Sequence, residues 1–142
     1  MQHEAAIAAN PNGFANIDEG VCFGHLESSH IGHLGLTAGA LPVVIPVRYR
    51  LEGRSLVFAT EGGAKLRLAR RNAVACLEIA GTDPSTGIDW TVLATGRLRE
   101  ITDPSSISSS DAISLRAWGL PPAEHMVALD IELLSGSKSQ AE

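Results

Sequence analysis

Cysteine is scarce in this chain: Cys22 and Cys76 are the only two, far apart and without a CxxC pair. Their scarcity excludes a disulfide-dense secreted scaffold and a thiolate zinc site, and leaves reduced, buried thiols as the expectation. Long hydrophobic runs are lacking too. Each apolar stretch is broken by glycine, proline or charge before it reaches the ~18 residues that a membrane-spanning helix requires. The opening stretch, MQHEAAIAANPNG, has no basic start followed by an apolar core, so no secretory signal is expected. The reading is a cytoplasmic protein with no membrane partner. No GxSxG elbow occurs, which argues against a serine hydrolase. His30 and His33 form an HxxH pair, but that spacing on a strand points them to opposite faces with no third ligand near, so no metal site is expected.

What is present suits one globular unit. The 142 residues are 44 % hydrophobic and 19 % charged, which fits a single domain over 1–142, with 1–17 and 136–142 expected to be flexible. The formal net charge is -5, yet Arg48, Arg50, Arg54, Lys65, Arg67, Arg70 and Arg71 cluster in one segment opposed only by Glu52 and Glu61. A basic segment within an acidic chain favours a small anionic ligand over nucleic acid, which the remaining acidic surface would repel. The same charges also suit a solvated helix face, and composition leaves both readings open.

The hydrophobic pattern reads as mainly β. Asp18 is placed to cap a short helix through Glu27. The glycine-spaced HIGHLGLT (residues 30–37) suits a curved strand. LPVVIPVRYRLEGRSLVFAT reads as a hairpin, in which Val47, Tyr49 and Leu51 alternate with Arg48, Arg50 and Glu52 around a Glu52-Gly53-Arg54 turn. Pro42 and Pro46 lack the backbone donor, which predicts an edge or a bulge there. After Gly62-Gly63, AKLRLARR supplies one or two helical turns. AVACLEIA and WTVLATGRLREIT form a second hairpin, with Gly96 as a predicted kink. A serine-rich helix between Asp103 and Gly119 and a last strand from EHMVALDIELL complete about six antiparallel strands with minor helices. Closing them into a barrel removes the exposed edges.

The stretch LVFATEGGAKLRLARRN (residues 56–72) carries the clearest chemistry. Two glycines ahead of a helix let backbone N–H groups turn toward an anion, Lys65 can add a charge-assisted bond, and Thr60 a hydroxyl donor. These are the features of a phosphate site. Tyr49, beside Pro46, reads either as a core residue with a satisfied hydroxyl or as a ligand contact.

PVVIPVRYRLEGRSLVFATEGGAKLRLARRNAVACLEI, with DWTVLATGRLREITDP and HMVALDIELLSG, resembles the pyridoxamine 5'-phosphate oxidase-like family of flavin-binding split barrels, in its small bacterial, nitroimidazole-resistance-like branch. The resemblance spans roughly residues 22–136. It implies a six-stranded antiparallel split β-barrel that forms a homodimer with two flavin mononucleotide (FMN) sites at the subunit interface, acting on a small organic molecule. Pro46, Val47, Arg48 and Tyr49 match the strand lining the isoalloxazine edge. Thr60 and Lys65 match the phosphate ligands, Trp90 the aromatic that opens the long strand, and Trp118 with His125 a C-terminal pair near the partner's flavin. His33 stands where this branch usually has a basic residue, and the TEGGAK loop lacks the extra arginine of the true pyridoxamine phosphate oxidases, so the resemblance places none of their substrate-binding residues and does not extend to pyridoxamine phosphate as substrate. The deazaflavin F420 in place of FMN, and a flavin- or haem-holding barrel without turnover, are the alternatives. In a flavin enzyme the cofactor carries the hydride or electron chemistry, so no acid–base dyad has to be visible.

Overall fold

The computed structural model describes residues 14–60, 62–102 and 125–139. In chain order they form strand β1 (Phe14–Asn16), helix α1 (Glu19–Ser28), β2 (Ile31–Ala38), β3 (Leu41–Glu52), β4 (Ser55–Thr60), helix α2 (Ala64–Arg70), β5 (Val74–Thr82), β6 (Asp89–Ile101) and β7 (His125–Ser139). The expected helix between Asp103 and Gly119 lies outside the described residues.

Antiparallel pairing runs β7-β4-β3-β2-β5-β6, and β6 returns to β7, so six strands close a ring while β1 adds to the free edge of β7. Two seams are short. β3 meets β4 only from Tyr49↔Phe58 to Glu52↔Ser55, and β2 meets β5 only from His33↔Glu78 to Gly35↔Cys76. These seams split the barrel. The β6–β7 ladder, by contrast, runs without a gap in β6 from Trp90↔Lys138 to Ile101↔Met126.

The predicted kink at Gly96 is a register shift in that ladder: Thr95 faces Leu133 and Gly96 faces Ile131, which leaves Glu132 as the extra residue. A Cβ on Gly96 would sit 1.7 Å from the carbonyl oxygen of Asp130, so only glycine lets the strands approach this closely.

Alternation sorts the side chains. Val47, Tyr49, Leu56, Phe58, Leu77, Leu98, Val127 and Leu129 fill the barrel, all buried. The two helices close its ends. Asp18 caps α1 as the sequence predicts, its Oδ1 accepting from the Val21 N–H at 2.9 Å, and Cys22 and Leu26 of that helix join the core. Leu66, Leu68 and Ala69 bury one face of α2. Its C-terminus ends at Asn72, whose φ of 53° is left-handed, while the Ala73 N–H bonds back to the Leu68 carbonyl at 3.0 Å.

Within the terminal segments the described residues are paired. Phe14, Ala15 and Asn16 pair with Ser139, Lys138 and Ser137, and the Ile17 N–H donates to the Gly136 carbonyl at 3.0 Å. Read by its side chains, SGSKS is a polar tail; its backbone nonetheless completes a ladder, because strand pairing satisfies main-chain groups whatever the side chains are.

Tyr49 ties helix to barrel. Its hydroxyl donates to the Leu26 carbonyl at 2.8 Å, and burial pushes the phenol up to about 12, against a smaller lowering by a Ser29 hydrogen bond. The raised value means that the neutral phenol stabilises the fold fully below the ordinary tyrosine value of 10 and ceases to do so as pH rises through about 12. Chemical denaturation across pH 10 to 12 should therefore show stability falling by up to ~2–3 kcal/mol, and Tyr49→Phe should flatten that slope while costing about 1–3 kcal/mol at pH 7. In the ladder, Gly96→Ala should lower stability by roughly 3 kcal/mol or more, read as a shift in the urea midpoint.

Candidate functional site

Where β3 and β4 part, the structure brings the predicted strand and loop together. Pairing between them stops at Tyr49↔Phe58, so Pro46, Val47 and Arg48 lie beside the end of β4 at Thr60 without bonding to it. On its other edge β3 pairs with β2 from Leu41↔Ala38 to Arg48↔Ile31. One edge of β3 from Leu41 to Arg48 thus has no strand partner among the described residues. This is the open edge that Pro42 and Pro46 predict.

Side chains divide between the two faces of β3. Val47 and Tyr49 point into the core, 4 % and 1 % exposed, so what they can offer a ligand is backbone alone. The Tyr49 N–H is itself bonded to the His30 carbonyl at 2.9 Å. Of the two readings open for Tyr49, its side chain adopts that of a core residue with a satisfied hydroxyl. Pro46 and Arg48 face outward, and the Arg48 guanidinium makes no hydrogen bond or ion pair among the described residues.

Thr60 is the buried polar residue at the end of β4, 4 % exposed. Its hydroxyl donates to the Gly62 carbonyl at 3.0 Å and accepts from the Gly62 N–H at 3.2 Å, so it builds the turn. Gly62 and Gly63 hold φ of 128° and 75°, and a Cβ on either would meet nothing within 4 Å: the turn exposes its backbone to open space. Lys65 follows in the first turn of α2, half-buried.

A charged network fixes α2 against the barrel. Arg70 Nε donates to Glu100 Oε1 at 2.9 Å, and the other Glu100 oxygen meets His125 Nδ1 at 3.2 Å. The Arg70 guanidinium holds the Glu100 carboxyl below the usual carboxylate range. His125 is also the cross-strand partner of Thr60, which sets it at the same end of the barrel as the glycine turn. Arg67 and Arg71 remain solvent-facing and, with Ala38, Gly39 and Ala64, line a cavity of about 410 Å³ beside the β2–β3 turn.

Trp90 lies elsewhere. It pairs with Lys138 at one end of the β6–β7 ladder, whereas Ile101↔Met126, next to Thr60↔His125, marks the other. Eleven strand steps of ~3.3 Å make about 36 Å of path along β6 between them. Trp90 shares its side of β6 with the core residues Val92 and Ala94. It stacks on His25, ring centroids 3.7 Å apart and planes 13° from parallel, a contact that the sequence reading missed. Burial holds the His25 imidazole below its ordinary value, with Asp83 opposing, so two uncharged rings meet at neutral pH. Trp118 lies outside the described residues. Among the described residues no group of three or more metal-ligating side chains forms, and no helix is long and apolar enough to cross a membrane.

A ring of six antiparallel strands split at two seams, with a glycine turn and a basic helix at one seam, defines a split-barrel protein. The chain belongs to the pyridoxamine 5'-phosphate oxidase family, whose sequence profile matches residues 18–138. A Mycobacterium tuberculosis protein of uncharacterised function, Rv0080, is 26 % identical over 122 residues, covering 82 % of this chain and 80 % of that one. A FAD-binding protein from Mesorhizobium loti superposes with a TM-score of 0.77 at 19 % identity over 89 % of this chain and 99 % of its own. A candidate 5-nitroimidazole antibiotic resistance protein from Bacteroides thetaiotaomicron gives a TM-score of 0.68 at 14 % identity, over 88 % and 87 % of the two chains. The fold and family implied by the sequence resemblance are thereby established.

The turn can be probed directly. Thr60→Val keeps the shape but removes both hydroxyl bonds, which should destabilise the protein by about 1–3 kcal/mol and speed amide exchange at Gly62, as measured by hydrogen–deuterium exchange.

Proposed function

We propose that this protein is an FMN-binding oxidoreductase that acts as a homodimer on a small organic substrate. The observation that carries the reading is the family match over residues 18–138, set on a structure in which the unpaired edge of β3 adjoins the Gly62–Gly63 turn. The flavin named for the Mesorhizobium neighbour supports it.

The residues present fit a phosphorylated flavin. Lys65 and the glycine backbone would hold the phosphate, and the outward side of Pro46 with Arg48 would border the ring system. Thr60 would act by shaping the turn, since its hydrogen is already given to the Gly62 carbonyl. Bound there, the flavin would supply hydride or electron transfer, while the chain binds and orients it.

The dimer reading rests on the outer surface of the sheet. Val44, Val74, Leu93 and Leu133 are 68 %, 56 %, 39 % and 70 % exposed, around the row that runs Val44↔Gly35↔Cys76↔Thr95↔Leu133 across five strands. A contiguous apolar surface of this kind favours a partner, and a second copy meeting it by two-fold symmetry covers both faces at once. Arg48, on the same outward face, would then lie near the interface.

An absorption spectrum of the purified protein, with mass analysis of what denaturation releases, tests the cofactor. Flavin bands with FMN mass are expected; FAD mass would change the nucleotide, and a deazaflavin mass or a Soret band would replace the reading with one of its alternatives. Lys65→Ala should weaken FMN binding tenfold or more in a fluorescence titration. Arg54→Ala should change it less than twofold, because Arg54 lies over Phe23 and near Glu19, away from the turn. Equal losses would refute the phosphate assignment. Introducing Leu133→Asp together with Val44→Asp should convert the dimer to monomer in light scattering.

A further inference from the structure

The His25–Trp90 stack stands at the edge of a cavity of about 780 Å³ with no part in the reading above. It opens between the start of α1, the β5–β6 turn and the end of β7. Its lining includes Ile17, Ile88 and Lys138 besides the two rings, and its volume falls within the 300–1,000 Å³ of small-molecule sites. One protomer thus carries it about 36 Å along β6 from the glycine turn.

We propose that this cavity binds a small, uncharged, planar aromatic compound bearing a carbonyl acceptor. Three observations select that chemistry. The indole of Trp90 is fixed, lying over Gly81, where a Cβ would come within 2.5 Å of the ring, and stacked by His25 on a nearly parallel plane. A flat ligand extends such a column with favourable offset stacking. Next, the indole N–H of the half-buried Trp90 is a donor without an acceptor among the described residues, and such a donor selects a ligand that accepts, while the exposed Lys138 ammonium stands at the rim. Finally, Asp18 and Asp83 also line the cavity, two carboxylates against one ammonium, so a full negative charge on the ligand is disfavoured. A carbonyl meets both demands, accepting a hydrogen bond without carrying charge.

The site is independent of the flavin reading, and the test reads it without flavin. In a Trp118→Phe background Trp90 is the single tryptophan, so one indole N–H resonance reports on the cavity in a nitrogen–proton correlation spectrum. Benzamide should move that resonance saturably. Cyclohexanecarboxamide, which keeps the amide but loses the planar ring, and benzoate, which keeps the ring but carries charge, should each bind at least tenfold more weakly. His25→Ala should weaken benzamide at least fivefold, and Ile88→Phe, which intrudes on the cavity without adding an indole, should diminish the shift if the histidine variant does not fold. The absence of a saturable benzamide shift, or equal affinity for all three compounds, would overturn the proposal. Retained benzamide binding in a protein that takes up no FMN would sink the flavin reading and leave this site standing.

Discussion

The β6–β7 ladder is the constraint on which the rest of the structure depends. It turns an open sheet into a ring, and it does so along nearly the whole length of both strands. Two long strands can stay paired around a closed barrel only if one of them bends. The bend comes at Gly96, where the Asp130 carbonyl lies in the space a side chain would need. Both candidate sites are hung from this ladder: one end sets His125 beside Thr60, and the other sets Lys138 beside Trp90.

Closure decides where ligands can go. A small barrel fills its interior with side chains, here Tyr49, Phe58 and a shell of leucines and valines, so no room is left inside. Each end is closed by a helix held through one specific link, Tyr49 to the Leu26 carbonyl for α1 and Arg70 to Glu100 for α2. The solvent-screened ion pair contributes little stability by itself, and its value is in orientation. What remains for binding is the seam where β3 leaves β4, the outward apolar face, and the space beside α1.

Much of this was legible in order along the chain. Helix α1 with its Asp18 cap, the β3–β4 hairpin, the glycine turn, the short basic helix and the Gly96 irregularity each follow from local pattern, because capping, alternation and turn chemistry act over a few residues. Other features were not. Alternation sorts Val47 and Tyr49 to the opposite face from Arg48, but which face meets a ligand depends on closure. His25 and Trp90 are far apart in sequence and carry no shared motif, so nothing local announces their stack. The terminal strand β1 pairs through backbone groups that every sequence possesses.

By itself, then, the sequence determined the mainly β character, the split-barrel family and the basic glycine turn, since these rest on periodicity, spacing and residue type. Only the tertiary structure decided that Thr60 shapes the turn through its own hydroxyl, that Tyr49 belongs to the core, and that Trp90 stands at the far end of the barrel. The physical reason is that a strand's residue order fixes its two faces, while ring closure and register across non-neighbouring strands fix what those faces meet.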